Sequence, residues 1–441
     1  MLLFDASHTS HTRARTCIQR VCRSLNAALA ATDPVTAVCF DPHEAGWRPL
    51  NRAERATLAG QTEAPAGGSR GAKWSLAQKI AGHARRLTGR RAVLPGAGGL
   101  LCPELFSHRV AAHLPDIFAR VSGPRVAIFH DALGLQFPEL TPPTTVARLP
   151  AYLHELRQFD GVAAVSEDSA ECLRSYWRWL GAGPTPPVQA IPLGLDEISG
   201  QAAGAAEEAG PPRVLCVGTI EGRKNHLALL DAAESLWCEG VPFALELIGL
   251  ARPDTAAPAL GKITALRRMG RPLTYHGSVS ERALLTAYAR CTFTVYPSFA
   301  EGFGLPVLES LRAGKPCVCS ARGALGESAR GGGCLTMESV DSASLAAALR
   351  QLLRNPSTLT ALAAAARQRK FRSWHDYAAD LKSWMAGLRP RSGLDRALRL
   401  LTPDVLPVVP LSYTVWPCPS SPRPKKRSSN ARRMTTRRRC A

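Results

Sequence analysis

No stretch of these 441 residues stays apolar for the roughly 18 positions that would suggest a membrane-spanning helix. The opening Met1-Leu2-Leu3-Phe4-Asp5 lacks the basic flank and longer apolar core of a signal peptide, so the expected location is inside the cell. Thirteen cysteines are present, but no C-x-x-C pair, which argues against a zinc ribbon. Cys216, Cys317 and Cys319 fall in apolar strand-like runs, and Cys172, Cys238 and Cys291 in or beside helical segments. That placement suits buried free thiols in a reducing compartment. Clustered carboxylates of the D-x-D kind are also missing, so no obligatory metal and no other cofactor is expected. No G-x-G-x-x-G follows an early strand, which disfavours a dinucleotide-dependent oxidoreductase. No internal repeat is evident.

The balance of 45% hydrophobic and 20% charged residues is that of a globular chain long enough for two or three domains. The net charge of +20 is uneven: residues 401–441 carry nine Lys and Arg against one acid, leaving 46 basic and 34 acidic residues in 1–400. A basic protein of this kind tends to meet phosphates, anionic lipid or nucleic acid. The Pro- and Ser-rich tail, residues 391–441, ends in Arg423-Pro424-Lys425-Lys426-Arg427 and Arg437-Arg438-Arg439 and reads as disordered. It is open to two readings, a nucleic-acid arm or an extension without function; no specific nucleic acid is expected.

Residues 1–195 alternate strand and helix patterns. Ile18–Ala30 has helical spacing; Val35–Phe40, Arg125–Phe129, Gly161–Val165 and Val188–Ile191 suit short buried strands; Gly60–Gly71 reads as a loop. Residues 196–212 are small, polar and turn-rich, and read as a linker. A second series fills 213–390, with strands at Val214–Val217, Ala244–Ile248, near Tyr275, at Thr292–Tyr296 and at Pro316–Cys319. Helices are expected near His226–Trp237, Arg282–Ala289, Pro306–Arg312 and Ser342–Leu353, then over Ala361–Leu388. The expected fold is α/β, with two doubly wound parallel sheets.

The chemistry concentrates where strands end. After Thr292–Tyr296 the chain reads Pro297-Ser298-Phe299-Ala300-Glu301-Gly302-Phe303-Gly304-Leu305-Pro306-Val307-Leu308-Glu309. Glycines let a ligand approach the backbone, proline suits a first helical turn, and the free N–H groups of that turn attract anions. Glu301 and Glu309 bracket this anion site with acceptors for hydroxyl groups, the outline of a sugar nucleotide. Gly218-Thr219-Ile220-Glu221-Gly222-Arg223-Lys224-Asn225 follows Val214–Val217; Arg223 offers a planar fork for phosphate and Lys224 a point charge. His130-Asp131 and Ser166-Glu167 follow two strands of the first half. A cleft between the halves would unite these clusters, although His130 also reads as a simple strand-end histidine.

These segments resemble the retaining glycosyltransferases of family 4 of the GT-B fold. The resemblance rests on Val214-Leu215-Cys216-Val217-Gly218-Thr219, Glu221, Arg223-Lys224-Asn225 and the Glu-x7-Glu segment. Ile191-Pro192-Leu193-Gly194, Tyr275-His276-Gly277-Ser278-Val279-Ser280 and Leu311 to Pro316 extend it over most of 120–385. It implies two Rossmann-like domains, an acceptor domain (1–195) and a nucleotide-sugar domain (213–390). It further implies that Arg223 and Lys224 hold the donor diphosphate and that Glu301 contacts donor sugar hydroxyls. Gly302, Phe303, Gly304 and Leu305 would lie along sugar and phosphate, Glu309 would bind the ribose, and His130 would face the reacting sugar. Glu327 resembles a position near the cleft, or starts a local turn. The loop Arg15-Thr16-Cys17-Ile18-Gln19-Arg20-Val21 resembles one that faces the phosphates, with Cys17 where glycine is usual; a Cβ there would crowd the phosphate. The implied reaction moves a hexose, with mannose from GDP-mannose the expected case, to a saccharide or lipid-linked saccharide in surface polysaccharide assembly. The alternatives are a sugar-nucleotide binder without catalysis and a nucleic-acid-associated basic protein.

Between Ala64 and Pro103 there are seven Lys or Arg and no acid. Ala72–Arg91 reads as a basic amphipathic helix with Trp74, Leu76, Ile80 and Leu87 near one face. It suits either core packing with a solvated basic side or peripheral contact with the anionic inner face of the cytoplasmic membrane.

Overall fold

The computed structural model describes residues 1–14, 16–61, 71–90, 92–196 and 210–392. Arg15, Arg91, most of the 60–71 loop, most of the 196–212 linker and nearly all of the 391–441 tail lie outside the described residues.

Seven strands form the first sheet: β1 (Leu2–Asp5), β2 (Val35–Asp41), β3 (Gly46–Pro49), β4 (Gly99–Cys102), β5 (Arg125–Phe129), β6 (Gly161–Ala164) and β7 (Val188–Ala190). Their order is β3-β2-β1-β4-β5-β6-β7, parallel except for β3, which pairs antiparallel at the edge. The second sheet holds β8 (Arg213–Val217), β9 (Ala244–Ile248), β10 (Leu273–Tyr275), β11 (Phe293–Tyr296), β12 (Cys317–Ser320) and β13 (Cys334–Met337). All its pairings are parallel, in the order β10-β9-β8-β11-β12-β13. Central strands such as Val-Ala-Ile-Phe in β5 are apolar throughout because helices cover both faces. Both domains are doubly wound and Rossmann-like, the architecture that the resemblance implies.

Helices flanking the two sheets include α1 (Cys17–Ala30), α2 (Leu76–Thr88), α3 (Glu167–Trp179), α4 (His226–Cys238), α5 (Leu305–Arg312), α6 (Gly323–Ala329) and α7 (Trp374–Ala386). None of the helices among the described residues is long and apolar enough to cross a membrane. No disulfide joins the cysteines of the described residues.

Strand order reverses between β1 and β4 in one sheet and between β8 and β11 in the other. At such a reversal the loops leaving neighbouring strands diverge and leave a crevice beyond their carboxyl ends. The loops after β8 and β11 carry Arg223-Lys224 and Glu301.

The structure departs from the sequence reading in four respects. Strands β1, β3, β4 and β13 had not been expected, and β1 turns out to be the buried centre of its sheet. The helix expected over Ala361–Leu388 is two helices, Pro356–Gln368 and α7, separated by residues 369–373. And α7, grouped by sequence with 213–390, returns to the first domain. Trp374, Tyr377, Leu381 and Met385 share one core with Phe4, Val21, Leu25 and Leu29, and Leu195 bridges to Ser373. Glycine is required where α7 arrives: a Cβ on Gly194 would stand 2.5 Å from the Ser373 carbonyl oxygen. The basic helix also differs. Trp74 turns inward onto His11, whereas Leu76, Ile80 and Leu87 face solvent.

Leu381 is fully buried between α7 and the first domain. Leu381→Ala should cost about 2–5 kcal/mol, read as a lower midpoint in equilibrium urea unfolding. An unchanged midpoint would show that α7 does not stabilise that domain.

Candidate functional site

Glu301 is the centre of the site. It is 8% exposed, and each carboxylate oxygen meets a different cation: Oε1 lies 2.5 Å from Lys224 Nζ and Oε2 lies 2.9 Å from Arg223 Nη1. Burial alone would raise its pKa; Arg223 and then Lys224 outweigh that and hold it at about 2. Arg223 also pairs with Glu221 at 2.8 Å, and Lys224 donates to the Tyr296 hydroxyl and sits 4.7 Å from that ring's centroid.

Local backbone chemistry fixes this cluster. Asn225 follows Lys224 at φ +56, a left-handed conformation that asparagine tolerates better than most residues. Its side-chain amide donates to the carbonyls of Pro297 (3.2 Å) and Val340 (2.7 Å). Phe299 N–H donates to the Arg223 carbonyl at 3.0 Å, which ties the β8 and β11 loops together. Gly304 then precedes α5 at φ +103, where a Cβ would be strained. The helix has no side-chain cap and carries Pro306 in its first turn. Phe303 and Leu305 are core side chains, so only their backbone can meet a ligand.

The first domain closes directly on this turn. A Cβ on Gly302 would stand 2.3 Å from the His130 carbonyl oxygen, so only glycine permits the approach. Ser166 Oγ and Ser169 Oγ donate to the Gly302 carbonyl at 2.7 and 3.1 Å, and Ser169 Oγ lies 2.9 Å from the His130 carbonyl. The His130 ring is buried and its Nε2 donates to the Pro103 carbonyl at 2.8 Å. Burial lowers its pKa, so the ring is neutral with Nδ1 left as an acceptor. Asp131, beside it, contributes to the field at Arg223.

Glu309 sits apart from Glu301 and is held from two sides: Arg20 Nη1 on α1 lies 2.6 Å from Oε1, and the Tyr288 hydroxyl donates to Oε2 at 3.1 Å. Burial and then Glu309 push the Tyr288 phenol well above its ordinary range, so it remains a donor. Arg20 also reaches Asp196 at 3.2 Å, at the start of the interdomain connection.

The structure thus brings Arg223, Lys224, Glu301, Gly302 and the backbone of His130 together, with Glu309 at the far end of the same turn and helix. Cys17 is the first residue of α1 and is solvent-exposed; Lys224, Glu301 and Glu309 all contribute to the field at its thiol. Glu327 is committed elsewhere: it accepts from the N–H groups of Glu167 (3.0 Å) and Asp168 (2.7 Å) and caps α3 across the domain boundary. Sequence reasoning missed the parts played by Arg20, Tyr288 and Tyr296. Tyr296 reads from sequence only as the last residue of a buried strand, and nothing local pairs Arg20 with a residue 289 positions away.

Acid should test the Glu301 cluster. Because its folded pKa is depressed, its stabilisation is complete above its ordinary pKa near 4.5 and is lost as pH falls toward about 2. Glu301→Gln should therefore unfold more easily than wild type at pH 7, by on the order of 3 kcal/mol, with the gap in urea unfolding closing between pH 4.5 and 2. A gap of the same size at every pH would contradict the pairing.

Residues 201–369 match the family model described as Glycosyl transferases group 1. The serotype-specific mannosyltransferase WbdA of Escherichia coli is 26% identical over 349 residues, which is 72% of this chain but 38% of that protein. The O-antigen chain mannosyltransferase B of Escherichia coli is 37% identical over 107 residues, 24% of this chain and 28% of that protein. The chain thus spans well under half the length of these curated relatives. Among solved structures, Anabaena Alr3699/HepE in complex with UDP and glucose superposes with a TM-score of 0.61 at 16% identity, covering 88% of this chain and 99% of that one. The fold is GT-B, and the segment that carries Arg223, Lys224, Glu301 and Glu309 is the one similar to the group 1 glycosyl transferases.

Proposed function

We propose that the chain is a retaining glycosyltransferase of family 4. It transfers a hexose, mannose from GDP-mannose in our reading, from a nucleoside diphosphate sugar to a saccharide or lipid-linked saccharide acceptor. The observation that carries this is the meeting of Arg223, Lys224 and Glu301 at the strand-order reversal of the second sheet, under the His130 backbone of the first domain. Two mannosyltransferases among the relatives, one of them named for O-antigen chains, support mannose and a place in surface polysaccharide assembly. A lipid-linked acceptor would place the enzyme at the inner face of the cytoplasmic membrane.

In this reading the donor diphosphate lies on Arg223 and Lys224. Negative charge grows on its leaving oxygen as the glycosidic bond breaks, and fixed cations stabilise that charge without reorganising. They do the work a divalent metal would do, and no metal or cofactor is invoked. Glu301 then has hydroxyl groups of the sugar to accept from, and Glu309 those of the ribose, with Arg20 and Tyr288 orienting the Glu309 carboxylate. Gly302 and Gly304 allow backbone approach to sugar and phosphate. Neutral His130 holds the first-domain side of the sugar pocket and does not deliver a proton from Nε2, which is engaged with Pro103. With retention, the acceptor hydroxyl attacks on the face that the diphosphate leaves and gives its proton to the departing phosphate oxygen.

The test is transfer of labelled mannose from GDP-mannose to saccharide acceptors. Lys224→Ala should lose at least 100-fold in transfer rate, about 3 kcal/mol of transition-state stabilisation, with its far-ultraviolet dichroism unchanged. An unaltered rate would remove the diphosphate assignment. Donor binding by the wild type with neither transfer nor hydrolysis would favour a sugar-nucleotide binder without catalysis.

A further inference from the structure

Helix α2 packs with its polar side inward. Gln78 donates to Glu54 at 2.8 Å, and Gly82 lies so close to His43 and Asp41 that a Cβ would stand 2.7 Å from His43 Cβ. Arg85 pairs with Glu44 at 2.6 Å and Asp41 at 3.1 Å. Just before the helix, Trp74 stacks on His11 at 3.8 Å, and His11 and Arg48 both bind Glu54. Asp41 and Glu44 are fully buried. Rolling the helix to hide its apolar side would strip both carboxylates of Arg85, and leaving buried charges without that partner is strongly unfavourable.

The opposite side is apolar and bare. Leu76, Ile80 and Leu87 are 73%, 60% and 88% exposed, and nearby Val93 is 83% exposed. At about 100° per residue, the three helical residues fall within an arc of roughly 40°, directly opposite Gln78, Gly82 and Arg85. Lys79 and Arg86 run along one flank of this ridge, and Lys73 and Arg90 stand at its two ends, all exposed. No acid occurs between residues 64 and 103.

We propose that α2 lies in the surface of an anionic lipid bilayer, with Leu76, Ile80 and Leu87 inserted at the acyl boundary and Lys73, Lys79, Arg86 and Arg90 among the headgroups. A narrow apolar ridge with a cationic rim and no acid complements negatively charged lipid, whose headgroups supply the counter-charge to that rim. The inward ionic network holds the helix so that the ridge projects from the first domain. This surface is separate from the Arg223-Lys224-Glu301 site and does not depend on the reaction assigned there.

The full-length chain should be sedimented with vesicles of phosphatidylcholine alone and of phosphatidylcholine with 30% phosphatidylglycerol. Binding is expected to the anionic vesicles only, and to fall at least tenfold for Leu76→Ser/Ile80→Ser/Leu87→Ser and for Lys79→Ala/Arg86→Ala. The unfolding midpoints of both variants should stay unchanged, because these side chains are exposed. Lys224→Ala should bind vesicles like wild type, which separates this proposal from the transferase reading. Wild type that ignores anionic vesicles would overturn it. So would a triple-serine variant that binds as well as wild type, which would assign the lipid contact to other basic residues such as the tail. Self-association that the triple variant abolishes, without vesicle binding by wild type, would show that a second copy of the chain covers the ridge instead.

Discussion

A carboxylate buried at the boundary of two domains is the constraint on which the rest of this site depends. Glu301 has almost no water to solvate it, and an isolated charge in that position would be neutralised or expelled. It stays ionised because Arg223 and Lys224 each take one of its oxygens. The pairing sets where the β8 and β11 loops must end, and the Asn225 amide and the Phe299–Arg223 backbone bond lock them there. Parallel strand order supplies the remainder, because the reversal between β8 and β11 puts both loops at one crevice.

The first domain reaches the same turn mainly through backbone atoms. Gly302 admits the His130 carbonyl, and the hydroxyls of Ser166 and Ser169, at the cap and in the first turn of α3, donate hydrogen bonds to the Gly302 carbonyl. Glu327 then caps α3 from the second domain, and Arg20 reaches over to Glu309. Each contact joins one domain's helix terminus or loop to the other's site segment, so domain closure and site geometry are coupled. The Arg20 guanidinium, shared between Glu309 and Asp196, also links the proposed ribose carboxylate to the start of the interdomain connection. Helix α7 reinforces the closure by crossing from the second domain into the core of the first.

Much of this was legible in the sequence because it is local. A short run such as Val214–Val217 is apolar on both faces and announces a buried parallel strand, and the residues just beyond such a run are where a doubly wound sheet places its chemistry. Other strands were hidden for local reasons. Leu2–Asp5 has four residues at the chain start, Gly46–Pro49 is an edge strand bounded by glycine and proline, Gly99–Cys102 emerges from a glycine-rich run, and Cys334–Met337 is half exposed after three glycines. The pairing of Arg20 with Glu309 and the capping of α3 by Glu327 join residues far apart in sequence, and no periodicity encodes them. The orientation of α2 ran against its pattern, because buried Asp41 and Glu44 claim Arg85 and outweigh the gain from hiding three apolar side chains.

The central claim is that Arg223 and Lys224 form a diphosphate site that is balanced by Glu301 until a donor arrives. Calorimetric titration of wild type and Lys224→Ala with GDP and with GMP tests it most directly. The account predicts that wild type binds GDP at least tenfold more tightly than GMP and that the preference collapses in Lys224→Ala. Equal affinity of wild type for GDP and GMP, or a preference that survives the loss of Lys224, would contradict it.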